Sequence, residues 1–276
     1  MHLYDAQITA LAHCTLNPQD PLLLTQIITI NADNFSTHPH ANLAASNLRA
    51  YCPHITEIKI QSSSFRYMNP DISPCVLNVL AYLSPVIKKL SLSIRMSEDI
   101  EQMFHGEDWF DETAINIERS MISIMQLIEK YDQMEHLELF FPDSNDDWNG
   151  METFPIHLIN FLHKIPNKKK LVSFLLDLDA FPLDNHETEA LDFSRQLIQF
   201  IQNCPNLIAL SLTTHYFALQ CLILLADTVT QHPTLRALKL NFETCIRPHA
   251  LPYFFHESRT LKSLEIFNHS YHFEDE

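Results

Sequence analysis

Residue types that bind metals or attack substrates are plentiful in this chain, but their spacing does not fit the chemistries they usually serve. Asp143, Asn145 and Asp147 reproduce the first three ligand positions of a calcium loop, in which alternating oxygen-bearing side chains converge on a hard cation. Trp148 then stands where such a loop needs Gly, and Phe154 where it needs Glu, so the run predicts no calcium site. The 16 histidines include the close pairs His38/His40 and His269/His272, yet neither comes with a second pair at zinc-ligand spacing. Six cysteines, Cys14, Cys52, Cys75, Cys204, Cys221 and Cys245, show no CxxC. They read as reduced, mostly buried small hydrophobes of a cytosolic-type protein. No HExxH, GxSxG, Walker loop or Gly-rich dinucleotide turn occurs, and with only Gly106 and Gly150 in the chain no phosphate-cradling loop can be built. No catalytic residue, metal ligand or cofactor site is therefore expected, and an enzyme would have to gather its site from dispersed residues.

The elements that would position any site are set by a recurring apolar pattern, LxxLxL, that follows a helical stretch and often a Pro. The clearest copies are CPHITEIKI (Cys52 to Ile60), SPVIKKLSL (Ser84 to Leu92), CPNLIALSL (Cys204 to Leu212), HPTLRALKL (His232 to Leu240) and SRTLKSLEI (Ser258 to Ile266). Looser copies are MEHLEL (Met134 to Leu139) and LVSFLL (Leu171 to Leu176), and a weak one, TQIITI (Thr25 to Ile30), opens the series. The leading apolar residues Ile55, Ile87, Met134, Leu171, Leu207, Leu235 and Leu261 are 32, 47, 37, 36, 28 and 26 residues apart. A period of a few tens of residues marks a solenoid, because one such unit cannot bury its apolar face without a stacked neighbour. Amphipathic segments precede the triplets at Ala41 to Tyr51, Val76 to Leu83, Ile115 to Tyr131, Ile156 to Ile165, Ala190 to Asn203 and Phe217 to Gln231.

With this triplet, roughly residues 45 to 268 resemble the leucine-rich repeat family, in the longer type whose short strands are each followed by a helix. The resemblance implies an α/β fold: a right-handed solenoid or horseshoe with a parallel concave sheet and convex helices. The family's ladder Asn is replaced by Ser63, Arg95, Pro142, Asp179, His215, Glu243 and His269. The turns must then satisfy their backbone groups in another way. A single domain over 1–276 is expected, with a cap and weak first repeat over 1–44, repeats over 45–268, an acidic insertion at about 94–114 and an acidic tail over 269–276.

Side chains alternate faces along a strand, so the residues between the apolar ones should stand on the concave sheet. Its central column is Lys59, Ser91, Glu138, Leu175, Ser211, Lys239 and Glu265. Near the middle it turns apolar, with Leu175 flanked by Phe140 and Val172, while Phe242 and Phe267 follow the last two strands. Exposed aromatic and aliphatic clusters anchor protein interfaces, so Glu138, Phe140, Val172, Leu175, Lys239, Phe242 and Phe267 are the expected partner-binding residues. The competing reading is that Phe140, Phe141, Phe242 and Phe267 tuck under the following turns as core.

Charge narrows the partner. With 18 basic against 34 acidic residues the formal charge is −16. The acidic runs Ser97 to Glu112, Asp143 to Trp148 and Asp184 to Asp192 follow three successive strands, so a solenoid should align them along one edge. Such an edge suits a protein partner with a basic surface and speeds encounter with it, while a merely solvating rim is the plainer alternative. Nucleic acid is disfavoured, since phosphate binding needs clustered Lys and Arg and only Lys168 to Lys170 supply any. No stretch approaches the roughly 20 apolar residues of a membrane span, and the N-terminus lacks the basic region of a secretory signal. Oligomeric state is left open. The function expected is a non-enzymatic interaction scaffold. Two alternatives are the substrate-receptor subunit of a ubiquitin ligase, for which LNPQDPLLLTQI is a loose match to the N-terminal box, and an enzyme, for which no residues follow Phe267 to form a ligase domain. The bias to Ile, Asn, His and Phe with scarce Gly also resembles effectors that intracellular bacteria inject into host cells. That resemblance implies the cytoplasm of the producing cell or of a host.

Overall fold

Alternating apolar residues in runs of five or six, flanked by Pro and polar turns, dictate eight short strands. The computed structural model describes residues 2–17, 19–62, 74–94, 122–123, 125–141, 154–178, 187–214, 217–242 and 258–267. Its strands are β1 (Ile27–Asn31), β2 (Glu57–Ser62), β3 (Lys89–Ile94), β4 (His136–Phe140), β5 (Ser173–Leu178), β6 (Ala209–Thr214), β7 (Ala237–Phe242) and β8 (Ser263–Phe267). They form one sheet in sequence order, every neighbouring pair parallel. Parallel neighbours need a crossover between them, and of the seven α-helices among the described residues one precedes β1 and six lie in the crossovers. These are α1 (Asp5–Ala12), α2 (Ala32–Thr37), α3 (Ala41–Tyr51), α4 (Pro74–Leu83), α5 (Phe154–Lys164), α6 (Glu187–Gln202) and α7 (Leu222–Gln231). The result is an α/β, solenoid-like array in which, among the described residues, each named strand pairs with its sequence neighbours, while Thr29 of β1 also bridges to His2.

The apolar positions of the triplet do what the pattern predicts. Ile58, Ile60, Leu90, Leu92, Leu137, Leu139, Phe174, Leu176, Leu210, Leu212, Leu238 and Leu240 are buried in one contiguous core with the inner faces of the helices. Each such side chain contributes about 1.5–3 kcal/mol by leaving water. The leading residues Ile55, Ile87, Met134, Leu171, Leu207 and Leu235 are buried as well. In the eighth repeat Leu261, Leu264 and Ile266 are only partly buried, because β8 has no ninth strand beside it among the described residues.

The strands also share one junction at their N-terminal ends, here the leading rim of the sheet. The residue before each strand lends its carbonyl to two consecutive amides of the next repeat. Gln26 O accepts from Thr56 and Glu57, Glu135 O from Val172 and Ser173, Val172 O from Ile208 and Ala209, Ile208 O from Arg236 and Ala237, and Arg236 O from Lys262 and Ser263. Side chains reinforce the rim: Asn167 donates to Asp132 O, Asn206 to Lys169 O, Thr234 to Pro205 O and Leu207 O, and Thr260 to His232 O. The positions that replace the family's ladder Asn, Ser63 to His269, lie outside the described residues.

Two helix expectations need correction or qualification. The pattern Phe217 to Gln231 predicts one helix, but α7 begins only at Leu222, after a 3₁₀ turn at Leu219–Cys221. Ser194 on α6 is the cause: its Oγ donates to Ala190 O and accepts the Ala218 amide at 2.8 Å, holding that stretch against α6 before a helix can start. The segment Ile115 to Tyr131 is described only in part, with a helical turn at 125–128. The acidic insertion at about 94–114 falls almost wholly outside the described residues.

Candidate binding face

The face of the sheet opposite the helices carries three columns of side chains, fixed by the strand register. The middle column runs Thr29, Lys59, Ser91, Glu138, Leu175, Ser211, Lys239, Glu265, as the alternation predicts. On one side lie Glu57, Lys89, His136, Ser173, Ala209, Ala237 and Ser263; on the other lie Ser93, Phe140, Asp177, Thr213, Asn241 and Phe267.

This face divides into two halves of different chemistry. Over β2 to β4 it is paved by long charged side chains. Lys59 Nζ lies 3.6 Å from Glu57, and Lys89 Nζ lies 3.7 Å from Glu57 and 2.8 Å from Glu138. The hydrogen bond with Glu138, ahead of all other influences, holds Lys89 above the usual lysine range, although burial opposes it. Such partly exposed pairs add on the order of 1 kcal/mol or less each to stability. Their larger effect is cover, since Ser91 in this half is only 8 % exposed. Over β5 to β8 the paving stops. Ser173, Ala209, Ala237 and Ser263 present four small side chains in a row, and they floor a depression of about 320 Å³ rimmed by Glu138, Leu175, Lys239 and Glu265.

The seven expected partner-binding residues fare differently. Leu175 and Lys239 border the depression, and Glu138 closes one end while already bonded to Lys89. Phe267 is 48 % exposed, with Lys239 Nζ 5.3 Å from its ring centre, a cation–π contact of about 0.5–1 kcal/mol. Phe140 is half-buried on the same face, but it stands beside Asp177 rather than beside Leu175. Val172 sits on the leading rim, one residue before β5. Phe242 must be corrected. It is 2 % exposed and stacks on Phe217 beneath the sheet, because as the sixth residue of β7 it falls on the inward parity of the alternation. Phe141 is likewise core.

Beyond Val172, the row of the leading rim was not singled out by spacing. Val172, Ile208, Arg236 and Lys262 follow one another there, joined by amide-to-carbonyl bonds of 2.8, 2.8 and 2.7 Å. Ile208 is 41 % exposed, and Arg236 and Lys262 are exposed. Each occupies the position directly after the leading apolar residue of its triplet, the one signal that could have found them.

Elsewhere the His40 ring lies beside both His13 and His38, with ring centres 4.7 and 5.8 Å away. His38 Nδ1 accepts the His40 amide, and its Nε2 stands 3.4 Å from Thr9 Oγ1. Among the described residues no group of three or more His, Cys, Asp or Glu is arranged to hold a metal ion. The calcium-like run at Asp143 to Asp147 and the pair His269/His272 lie outside them, as does nearly all of the acidic edge. No described helix is long and apolar enough to cross a membrane. Compared with protein-family models and with curated proteins, the chain matches none.

Proposed function

We propose that the chain is a leucine-rich repeat solenoid that works as a non-enzymatic protein-binding module, with the open face over β5 to β8 as its concave contact surface. The observation that carries this reading is the change at β5 from a face covered by its own ion pairs to a bare depression of about 320 Å³, bordered by Leu175 and Lys239. A surface already satisfied by internal pairs gains little from a partner, whereas a depression over small residues admits side chains that bury apolar area. The sheet supports the module rigidly, since every strand is fixed on the leading rim by two amides to one carbonyl. The meeting with the partner belongs in the cytoplasm of the producing cell, or of a host cell if the chain is an injected effector.

Affinity capture tests this with wild type beside Leu175→Asp. A protein retained by wild type and lost with the substitution, at unchanged thermal unfolding, supports the reading. Equal retention by both proteins sinks it.

A further inference from the structure

His232 stands directly after α7, at the repeat position held elsewhere by Cys52, Ser84, Cys204 and Ser258. The amide of the leading apolar residue, three positions on, needs an acceptor in each repeat. Cys52 and Cys204 give their own carbonyls to the Ile55 and Leu207 amides, and Ser258 gives its Oγ to the Leu261 amide. His232 gives Nδ1, which accepts the Leu235 amide at 3.2 Å and the Thr234 amide at 3.4 Å. A ring nitrogen that accepts carries no proton, so the hydrogen of the neutral imidazole is on Nε2, which donates to Cys204 O at 3.1 Å. The ring, only 5 % exposed, thus ties its own repeat to the equivalent position of the repeat before. Among the described residues the influences on its ionisation are burial and the carbonyls of Cys204 and Ile201, with no charged side chain among them. The flanking charges, Asp227 on α7 and Arg259 before β8, are exposed. On the α6 side the Cys204 thiol is neutral, pushed up to about 12 by burial, and Lys168, whose charge bears on that thiol, is bonded to the carbonyls of His163 and Ile165.

We infer that His232 is an acid-operated latch: a proton on Nδ1 sets it against the two amides it now accepts, and β7 and β8 loosen from the sheet while β1 to β6 stay in place. Protonation turns the acceptor into a donor, so the Thr234 and Leu235 amides lose their partner and the buried ring gains an uncompensated charge. Thr234 carries the effect across the junction, because its Oγ1 is bonded to Pro205 O and Leu207 O of the repeat before. The opening stays local because a unit near the end of a nearest-neighbour array loosens without the others. β8 has no ninth strand beside it among the described residues, and its Leu264 and Ile266 are only partly buried. The closed latch requires the neutral ring, so it holds above the ordinary imidazole value of about 6.5 and is lost as pH falls below it. Ala237, Lys239, Ser263 and Glu265 of the depression come from these two strands. A partner held there at neutral pH is therefore let go in mild acid; this consequence rests on the open-face reading above, whereas the latch does not.

The test is backbone hydrogen exchange of the full chain, read strand by strand by NMR at about pH 7 and about pH 5.5 and corrected for intrinsic exchange rates. Expected on acidification is a several-fold rise in the opening equilibrium of β7 and β8, with a ceiling of about tenfold per pH unit for one proton, while β2 and β3 change by less than about twofold. A rise of equal size in every strand overturns the inference, as does no rise in β7 and β8. His232→Asn keeps an oxygen near the place of Nδ1 but does not titrate, and is expected to remove most of the pH dependence; its full persistence in this variant overturns the latch. His163→Gln, at the other imidazole lowered by burial, is expected to leave the pH dependence of β7 and β8 intact, and loss of it there reassigns the latch to His163. Where His232→Asn does not fold, nitrogen-15 titration of the wild-type imidazoles decides: a neutral His232 ring with its hydrogen on Nε2 at pH 7 and a midpoint below about 6.5 supports the latch, and a midpoint at or above that value overturns it. None of these readings uses a partner, so the latch and the open-face reading fail separately.

Discussion

Phe217 and Phe242 stack face to face, ring centres 4.7 Å apart and planes 7° from parallel, and so tie the segment before α7 to the last residue of β7. Both rings are 2 % exposed. The stack explains why an aromatic residue at the end of a strand need not serve a partner. Phe242→Ala is expected to lose about 3–5 kcal/mol of stability, read by denaturant unfolding. Phe267→Ala removes an exposed ring and is expected to change stability by roughly 1 kcal/mol or less. Equal losses at the two positions would place both rings in the core.

Leu175→Asp and Phe140→Asp put a charge on the half-buried open face. Each is expected to abolish capture of the partner with thermal unfolding nearly unchanged. Unfolding of either variant at ordinary temperature would reassign its side chain to the core.

Thiol chemistry separates the cysteines by burial. Burial pushes the Cys52 and Cys204 thiols up to about 12, and Cys221 is raised for the same reason, whereas Cys14 is exposed. Maleimide labelling of the native protein, mapped by mass spectrometry, is expected to modify Cys14 and spare these other three. Rapid labelling of Cys52 or Cys204 would show that the helix ends they occupy open readily.

Stability should fall in mild acid. Burial holds His232 below the ordinary imidazole value of 6.5, against the opposing effect of its bond to Cys204 O. Burial, with the charge of Lys168 beside it, does the same to His163. The unfolded chain then binds protons that the folded chain does not. The stability contributed is fully present above about pH 6.5 and is lost as pH falls through the lower folded values. Denaturation midpoints between about pH 7.5 and pH 5 are expected to drop, and His232→Gln to drop less steeply from a lower starting point. A slope unchanged in the variant would remove His232 from the account.

Tyr131 donates from its buried hydroxyl to Leu80 O at 2.7 Å, joining two repeats. Tyr131→Phe is expected to cost about 1–2 kcal/mol in denaturant unfolding. A neutral result would mean that water or another donor replaces the bond.

Much of the fold was legible because two periods coexist in the chain. The triplet placed Ile58 and Ile60, or Leu210 and Leu212, on the inward parity, and the same alternation yielded the open column from Lys59 to Glu265 in its correct register. The α3 boundaries, Ala41 and Tyr51, were also correct, since His40 and the Cys52–Pro53 pair punctuate them clearly. Parity failed only where it was not applied: Phe242 was grouped with Phe267 by rank after the triplet, although one follows Leu240 by two residues and the other follows Ile266 by one. The start of α7 was illegible, because it depends on Ser194, some two dozen residues earlier. The succession of Arg236 and Lys262 along the leading rim was hidden for a related reason. Arg236 and Lys262 are 26 residues apart in sequence and become neighbours only through the Lys262 amide bond to Arg236 O.

The leading rim has a direction. In every rim bond to a backbone carbonyl named above the donor comes later in the chain than the acceptor, whether it is the paired amides, Asn167, Asn206, Thr234 or Thr260. Each carbonyl anchor therefore belongs to the repeat made before the one that uses it, and the array is built from nearest-neighbour contacts that a growing chain can add in sequence order.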